Sequence, residues 1–246
     1  MGLHVLGVNA SARADGFTAE LLDEVLEAAR RKGATTERLD LVRHPFPLCA
    51  GNYSVDPASC GPETCVQGPW DGFGKVAERI LSADAVVFAT PVYWFSVSSR
   101  MKALLERMTS MENQGLLNLG KPMALLAVAE EEGASQALAQ MLLPLSYMGF
   151  VLAPLGLVYA HRKHLTALKE SPEVLEDARI AGENLVLMAE RLRGTSFQEP
   201  LPSYLYRAPA SRAGQPFPSA DAGSRPAARA IRAGIRTFSS TLNSGI

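Results

Sequence analysis

The sequence predicts an α/β fold with a doubly wound parallel sheet, in which helices cover both faces of the sheet. Over about the first 190 residues, apolar segments of strand length alternate with segments of helical periodicity. Two strand-length segments, 84–90 and 121–129, are almost wholly apolar, which is typical of strands buried on both faces. The chain has 246 residues, 47% of them hydrophobic, so it is long enough to bury a substantial core.

Ten elements alternate along this part of the chain. The strands are expected at 3–8, 35–41, 84–90, 121–129 and 150–159, and the helices at 17–32, 71–81, 98–110, 135–147 and 172–193. The first strand is short and apolar, and the second alternates in part. The first helix ends at Gly33, a residue typical of that position, and the second begins at Asp71, a typical N-cap. The third helix presents Met101, Leu104 and Met108 on one face.

This count of elements narrows the topology. Five strands and five helices joined by right-handed crossovers correspond to a flavodoxin-like, doubly wound five-stranded parallel sheet with strand order 2-1-3-4-5. In such a sheet, ligands bind at the carboxyl ends of the strands. The loops that follow the strands are therefore where function is expected.

The chain divides into a flavodoxin-like domain, 1–194, and a C-terminal extension, 195–246, rich in Pro, Ala and Arg. The domain carries 18 Lys+Arg against 23 Asp+Glu (net −5), and the extension carries six Arg against two acidic residues (net +4). The extension is interpreted either as a flexible or draped segment or as an arm that wraps a second subunit. A net charge of −1 for the whole chain argues against nucleic-acid or membrane partners.

Location follows from the same composition. Three cysteines exclude a disulfide scaffold, and no secretory signal stands out, so we expect a cytoplasmic protein. The uncharged run 133–160 is long enough to span a bilayer. Because Pro144, Gly149, Pro154 and Gly156 interrupt it, a helix followed by a buried strand is the preferred interpretation.

The turn between the first strand and the first helix has the features of a phosphate site. A helix N-terminus offers unpaired amides and a partial positive charge. Ser11 and Thr18 add hydroxyl groups, Arg13 adds a charged donor, and Gly16 lets the backbone approach a ligand. An ordinary capped helix has similar residues, and these contacts alone give only marginal affinity. A second contact surface is therefore required.

That second surface is expected after the third strand, where Tyr93, Trp94 and Phe95 follow Pro91. Three consecutive aromatic side chains cannot all point into one core. They suit a flat heterocycle, although aromatic loop packing or an interface patch would use the same residues. The sheet order favours the ligand, because it places this loop beside the phosphate turn.

A family resemblance rests on three motifs: Ser11-x-Arg13-x-x-Gly16-x-Thr18, the segment 82–96 that ends in Thr90-Pro91-Val92-Tyr93-Trp94-Phe95-Ser96, and Lys102-x-x-Leu105-x-Arg107. They resemble the NADPH-dependent FMN reductases and the related iron–sulfur flavoproteins over about residues 3–190. The resemblance implies an FMN cofactor. It places Ser11, Arg13, Phe17 and Thr18 around the phosphate, and Pro91, Val92, Tyr93, Trp94, Phe95 and Ser96 along the isoalloxazine ring.

Two details qualify the resemblance. Phe17 stands where this family has a small polar residue, so only its backbone amide remains for the phosphate. Lys102 and Arg107 are expected to fix their helix and a dimer surface rather than to contact flavin.

The cysteines depart from the iron–sulfur members of the resemblance. Those proteins carry Cys-x2-Cys-x2-Cys plus a fourth ligand, whereas this chain has Cys49-x10-Cys60-x4-Cys65. Four thiolates normally hold such a cluster. We therefore expect no metal, with His44 left open as a fourth ligand, and interpret the loop as a substrate lid or dimer contact. The thiols are expected to be unmodified, although Cys60 and Cys65 could form a redox pair.

Two further clusters of titratable residues follow the fourth and fifth predicted strands. Glu130, Glu131 and Glu132 are expected to complement a helix N-terminus, or to edge the flavin. His161 and His164 have metal-ligand spacing on a helix, but they lack carboxylate or Cys partners and are expected to be solvated.

The resemblance implies an FMN-dependent NAD(P)H oxidoreductase. It would pass hydride from NAD(P)H, the co-substrate, to flavin and then to a quinone, flavin or other small aromatic acceptor in a ping-pong scheme. A homodimer or higher homo-oligomer is expected, and no catalytic side chain is required. The alternative is an FMN-containing electron-transfer or binding protein without nicotinamide turnover.

Overall fold

The computed structural model describes residues 2–61, 65, 67, 71–113, 115–163 and 165–198. His164 and nearly all of the extension lie outside these residues. Within them the strands are β1 His4–Asn9, β2 Thr35–Asp40, β3 Ala85–Tyr93, β4 Ser96–Val97, β5 Pro122–Ala129 and β6 Val151–His161. The α-helices are α1 Phe17–Arg31, α2 Phe73–Ser82, α3 Ser99–Arg107, α4 Thr109–Glu112, α5 Ala134–Tyr147 and α6 Pro172–Leu192.

The five long strands form one parallel sheet in the order β2-β1-β3-β5-β6. This is the predicted order, so the flavodoxin-like fold is confirmed. The described residues hold one strand more than predicted, because β4 turns back antiparallel on the end of β3. In the structure β3 extends through Tyr93, beyond the predicted end at residue 90.

The central strands are buried because helices cover both of their faces. All eight residues of β5 are buried, as are the first seven of β3. One core cluster packs β1, β3 and β5 against α1 and α6 and includes Leu22, Val87, Leu126 and Leu185. Gly7 allows this approach, because a Cβ at that position would lie 2.8 Å from Leu22 Cδ1. Full burial of one such apolar side chain contributes about 1.5–3 kcal/mol.

The second and third helices differ from the prediction at their ends. Gly72, rather than Asp71, is the N-cap of α2, with φ of 86°. Asp71 Oδ1 accepts a hydrogen bond from the Phe73 amide, and a Cβ at position 72 would lie 2.5 Å from Pro45 O. The helix predicted over 98–110 is divided into α3 and α4, and Ser98 caps α3 by accepting from the Met101 amide.

The uncharged run 133–160 forms α5 and most of β6, as predicted. An irregularity in β6 inserts extra residues, since Leu152 pairs with Met123 while Leu157 pairs with Leu125. Leu155 lies in this segment with a positive φ of 55°. Because β6 continues to His161, that histidine is on a strand, and the helical placement expected for it is wrong. Among the described residues, no helix has the length and apolar character needed to cross a bilayer.

Candidate functional site

The β1–α1 loop, residues 10–16, rests on a buried chain of hydrogen bonds. Asn9 is fully buried at the end of β1, and its Nδ2 donates to Asp40 Oδ1 over 2.8 Å. Its Oδ1 accepts from the Ser11 amide, and Ser11 Oγ accepts in turn from the Arg13 amide, each over 3.1 Å. Arg38 Nη2 also donates to Ala14 O over 3.0 Å. The loop is therefore fixed to the ends of both β1 and β2.

The start of α1 leaves hydrogen-bond donors open toward this loop. The Gly16 carbonyl accepts the amides of Ala19 and Glu20. In the described part of the chain, the amides of Phe17 and Thr18 and the Thr18 hydroxyl make no hydrogen bond to protein. The Arg13 side chain lies across the turn, with Nε 3.5 Å from the position of a Cβ on Gly16. These donors, the helix dipole and one guanidinium together suit an anion.

The end of β3 and strand β4 form a hairpin that exposes three aromatic rings. Val92 pairs with Val97 and Tyr93 with Ser96, so Trp94 and Phe95 form a two-residue turn. Both have positive φ, 49° and 61°, which is the geometry of a type I′ turn that normally selects Asn or Gly. Tyr93, Trp94 and Phe95 are 47%, 95% and 57% exposed. A strained backbone that holds exposed rings is typical of a functional loop.

The hairpin and the β1–α1 loop lie side by side at the carboxyl edge of the sheet. Ser98 Oγ donates to Ala10 O over 2.9 Å, and the Ser98 amide donates to Thr90 Oγ1 over 3.0 Å. The loop after β5 also reaches the hairpin, because a Cβ on Gly133 would lie 2.8 Å from Phe95 Cα. Three loops from β1, β3 and β5 therefore meet at one edge.

The structure brings together both predicted groups of residues, with different exposures. Ser11, Thr18 and Pro91 are buried, Phe17, Val92 and Ser96 are half-buried, and Arg13, Tyr93, Trp94 and Phe95 are exposed. Ser96 Oγ donates to Gln140 Oε1, which also accepts from the Val97 amide. An anion site beside exposed flat rings fits a phosphorylated heterocycle, and the residues present thus fit FMN.

Sequence reasoning missed the residues that support or flank the site. Asn9 and Ser98 carry signals in retrospect, since each is a polar side chain beside an apolar run. Arg162 carries none, because it lies far along the chain from the residue that it contacts. Its guanidinium carbon is 5.4 Å from the centroid of the Phe17 ring.

The loop between β2 and α2, residues 41–72, which we call the cysteine loop, is held in its described part by polar contacts with α3 and by contacts within itself. The Arg107 side chain is 2% exposed and donates to Asp71 Oδ2 over 2.5 Å and to Pro47 O over 3.1 Å. Gln67 bonds the backbone on both sides of Cys49, through Leu48 O and the Ala50 amide. Arg107 therefore joins α3 to the cysteine loop, and its burial contradicts the expected place on a dimer surface.

The three thiols of this loop are not equally available. Burial, with smaller contributions from the other two cysteines, raises the pKa of the Cys60 thiol to about 11, so it is protonated near neutral pH. Metal ligation needs the thiolate. In the described ranges, no group of three or more His, Cys, Asp or Glu side chains could hold a metal ion. That no metal binds stays a prediction.

Two of the acidic residues after β5 form ion pairs that the sequence did not predict. Glu130 pairs with Arg162 over 3.1 Å, and Glu131 pairs with Lys163 over 2.7 Å. The hydrogen bond that Lys163 donates to Glu131 raises the pKa of Lys163. These carboxylates therefore bind the turn after β6, whereas Gly133 is the N-cap of α5.

Comparisons with curated proteins identify relatives that match this chain over part of their length. An iron–sulfur flavoprotein of Methanocaldococcus jannaschii is 28% identical over 106 residues, 43% of this chain and 51% of that protein. An iron–sulfur flavoprotein of Archaeoglobus fulgidus is 26% identical over 160 residues, 63% of this chain and 65% of that protein. The chain thus spans about half to two thirds of these curated relatives.

Solved structures share the fold at low identity. RosB, solved with 8-demethyl-8-formylriboflavin-5′-phosphate bound, has a TM-score of 0.65 and 21% identity, covering 80% of this chain and 82% of its own. An NAD(P)H:quinone oxidoreductase of Methanothermobacter marburgensis has a TM-score of 0.55 and 19% identity, covering 75% and 96%. The family model described as NADPH-dependent FMN reductase matches residues 3–164, which is more than half of the chain. The protein therefore belongs to the NADPH-dependent FMN reductase family.

Proposed function

We propose that this protein is an FMN-dependent oxidoreductase that accepts hydride from NADH or NADPH and reduces a quinone, a flavin or another small aromatic acceptor. Membership of the FMN reductase family supports the cofactor and the reaction class. FMN supplies the redox chemistry when bound, while the protein supplies binding and orientation.

One observation carries the proposal: the open donors of α1 lie beside the exposed hairpin, with Ser98 joining the two loops. The Phe17 and Thr18 amides, the Ser11 and Thr18 hydroxyls and the Arg13 guanidinium would hold the phosphate. Residues 91–96 would line the ring. Because Trp94 is 95% exposed, it is available to contact either substrate. Two substrates that use one open face in turn give ping-pong kinetics.

The test starts from purified, flavin-free full chain. FMN and riboflavin are titrated with fluorescence quenching as the readout, and NADPH or NADH oxidation is then followed with and without a quinone. We expect FMN to bind more tightly than riboflavin and turnover to require the acceptor. Failure of FMN to bind would contradict the proposal. FMN binding without reduction by either nicotinamide would favour the electron-transfer alternative.

We also propose that the protein works as a homodimer. Leu143 of α5 and Leu155 of β6 are 73% and 71% exposed, and Tyr147 and Tyr159 are exposed on the same two elements. Exposed apolar surface of this kind is typical of interaction sites. Light scattering should give twice the chain mass, and Leu143→Glu with Leu155→Glu should lower it. A monomeric mass for the unchanged protein would contradict the proposal.

A further inference from the structure

The turn after β6 brings a second arginine to the start of α1. The Arg162 amide donates to Ala129 O over 2.8 Å, and the Lys163 amide donates to Glu130 O over 2.9 Å. These bonds fix the turn to the end of β5. From there the Arg162 guanidinium reaches the Phe17 ring, 5.4 Å from carbon to centroid. Cation–π contact orients the guanidinium at the first residue of α1.

The partner that Arg162 has in this structure is weakly held. Glu130 Oε2 is 3.1 Å from Arg162 Nη1, and the two side chains are 64% and 42% exposed. Ion pairs as exposed as this one contribute little stability. Lys163, next along the chain, is paired with Glu131, and Arg13 lies across Gly16 at the start of α1. A more highly charged anion at α1 can therefore displace Glu130 from Arg162.

Charge balance indicates what that anion is. A phosphate monoester carries about −1.5 to −2 charges at neutral pH. The α1 terminus supplies about +0.5 and Arg13 supplies one further positive charge, which together leave a doubly ionised phosphate with about half a negative charge. A second guanidinium completes the balance, and Arg162 is the one that contacts residue 17 of the same helix turn.

We propose that Arg162, held by the Phe17 ring, exchanges Glu130 for the phosphate of FMN and so makes the site selective for FMN over riboflavin. This inference rests on the proposed function. Glu130 then acts as a competing internal anion that lowers the affinity for the phosphate. The two residues have opposite effects on the same ligand group, which gives a signature that a merely structural role would not produce.

The experiment compares the dissociation constants of FMN and riboflavin for the flavin-free full chain and its variants, by fluorescence titration. Arg162→Gln should weaken FMN binding about 10- to 100-fold, in line with the loss of a charge-assisted hydrogen bond, and leave riboflavin unchanged. Glu130→Gln should tighten FMN binding a few-fold. Arg162→Lys should bind FMN with an affinity between those of Arg162→Gln and the unchanged protein, because lysine keeps the positive charge but lacks the planar set of donors of a guanidinium. Arg179→Gln, which removes an exposed arginine that pairs with Glu176 and Glu183 on α6, is the matched control.

Each outcome decides the question. Equal FMN affinity of the Arg162→Gln and unchanged proteins would overturn the inference while the proposed function stands, and so would equal weakening of FMN and riboflavin. A changed KM for NADPH with unchanged FMN affinity would assign Arg162 to the dinucleotide and also overturn it. If the unchanged protein binds no FMN, the proposed function fails with it. Circular dichroism and thermal melting verify that each variant is folded.

Discussion

The β1–α1 loop and the cysteine loop follow neighbouring strands of the same sheet, yet they use their polar groups in opposite ways. The described part of the cysteine loop is held by buried donors from other elements, since Arg107 of α3 bonds Asp71 and Pro47 O, and Asn113 donates to Pro57 O and Cys60 O. The β1–α1 loop is equally well supported from below by Asn9, but it leaves the amides of α1 open. A ligand site therefore needs unpaired donors on a rigid base, and polar residues alone do not mark one.

This comparison predicts that the largest loss of stability follows removal of Arg107, the α3 side chain that holds the cysteine loop. Arg107→Met removes the guanidinium and leaves Asp71 without its buried partner, so we expect the free energy of unfolding to fall by about 3–5 kcal/mol. Urea unfolding followed by circular dichroism measures it. Lys102→Met is the matched control on the same helix, because the Lys102–Glu106 pair is exposed and should cost less than about 1 kcal/mol. Equal, small losses for both variants would contradict this role of Arg107.

The largest loss of FMN affinity that this comparison predicts should follow replacement of Asn9, whose hydrogen bonds support the β1–α1 loop. Asn9→Ala removes the hydrogen bonds that fix Ser11 and Asp40, and we expect about tenfold weaker FMN binding with a loss of about 1–3 kcal/mol in stability. Riboflavin should be affected less, since the loop faces the phosphate. Asn184→Ala is the control, because that side chain donates to Pro154 O on an exposed surface. The prediction fails if both asparagine variants bind FMN as the unchanged protein does.

Two residues with strained backbone separate an effect on substrate reduction from an effect on stability. Trp94 and Leu155 are both exposed, non-glycine residues with positive φ. Glycine adopts this conformation readily, so Trp94→Gly and Leu155→Gly should each raise stability by up to about 1 kcal/mol in thermal melts. Only Trp94→Gly should lower kcat/KM for the acceptor, because only Trp94 lies on the hairpin. Equal kinetic losses in the two variants would show that the hairpin has no special role.

Sequence patterns anticipated the parts of this molecule that local physics dictates. The runs that became β3 and β5 are apolar because both faces are covered, and no other element fits such runs so well. Strand β4 was missed because two residues that follow an aromatic turn have no periodicity. Asp71 was predicted as an N-cap from its type, but its carboxylate is needed by Arg107, a residue that only the fold brings near.

The candidate site likewise contains residues that local sequence predicts and residues that only the fold brings together. Ser11, Arg13 and Thr18 belong to one local turn, and their adjacency to residues 91–96 follows from the strand order. The contact between Arg162 and Phe17 depends on how the turn after β6 bends, which no local pattern encodes. The pairing of Glu130 and Glu131 with that turn has the same origin, and it was not predicted from the sequence.

The smallest effect concerns the thiols, and it compares residues within the cysteine loop. Because burial raises the pKa of Cys60 to about 11, the thiol should be roughly 0.1% ionised at pH 8 and react slowly with iodoacetamide. The chain with Cys49→Ser and Cys65→Ser isolates Cys60, and mass spectrometry follows its alkylation. The rate should rise about tenfold for each pH unit from 8 to 10, since only the thiolate reacts.

Two controls show whether the alkylation rate reports on the burial of Cys60. The same variant unfolded in urea should be alkylated much faster at pH 8, because solvation restores the ordinary thiol pKa of about 8.5. FMN affinity should be unchanged in the variant, since none of the three cysteines belongs to the β1–α1 loop or to the hairpin. Rapid alkylation of the folded variant at pH 7 would mean that Cys60 is an accessible thiolate. The loop would then have an open reactive group of its own, and the contrast with the β1–α1 loop would no longer hold.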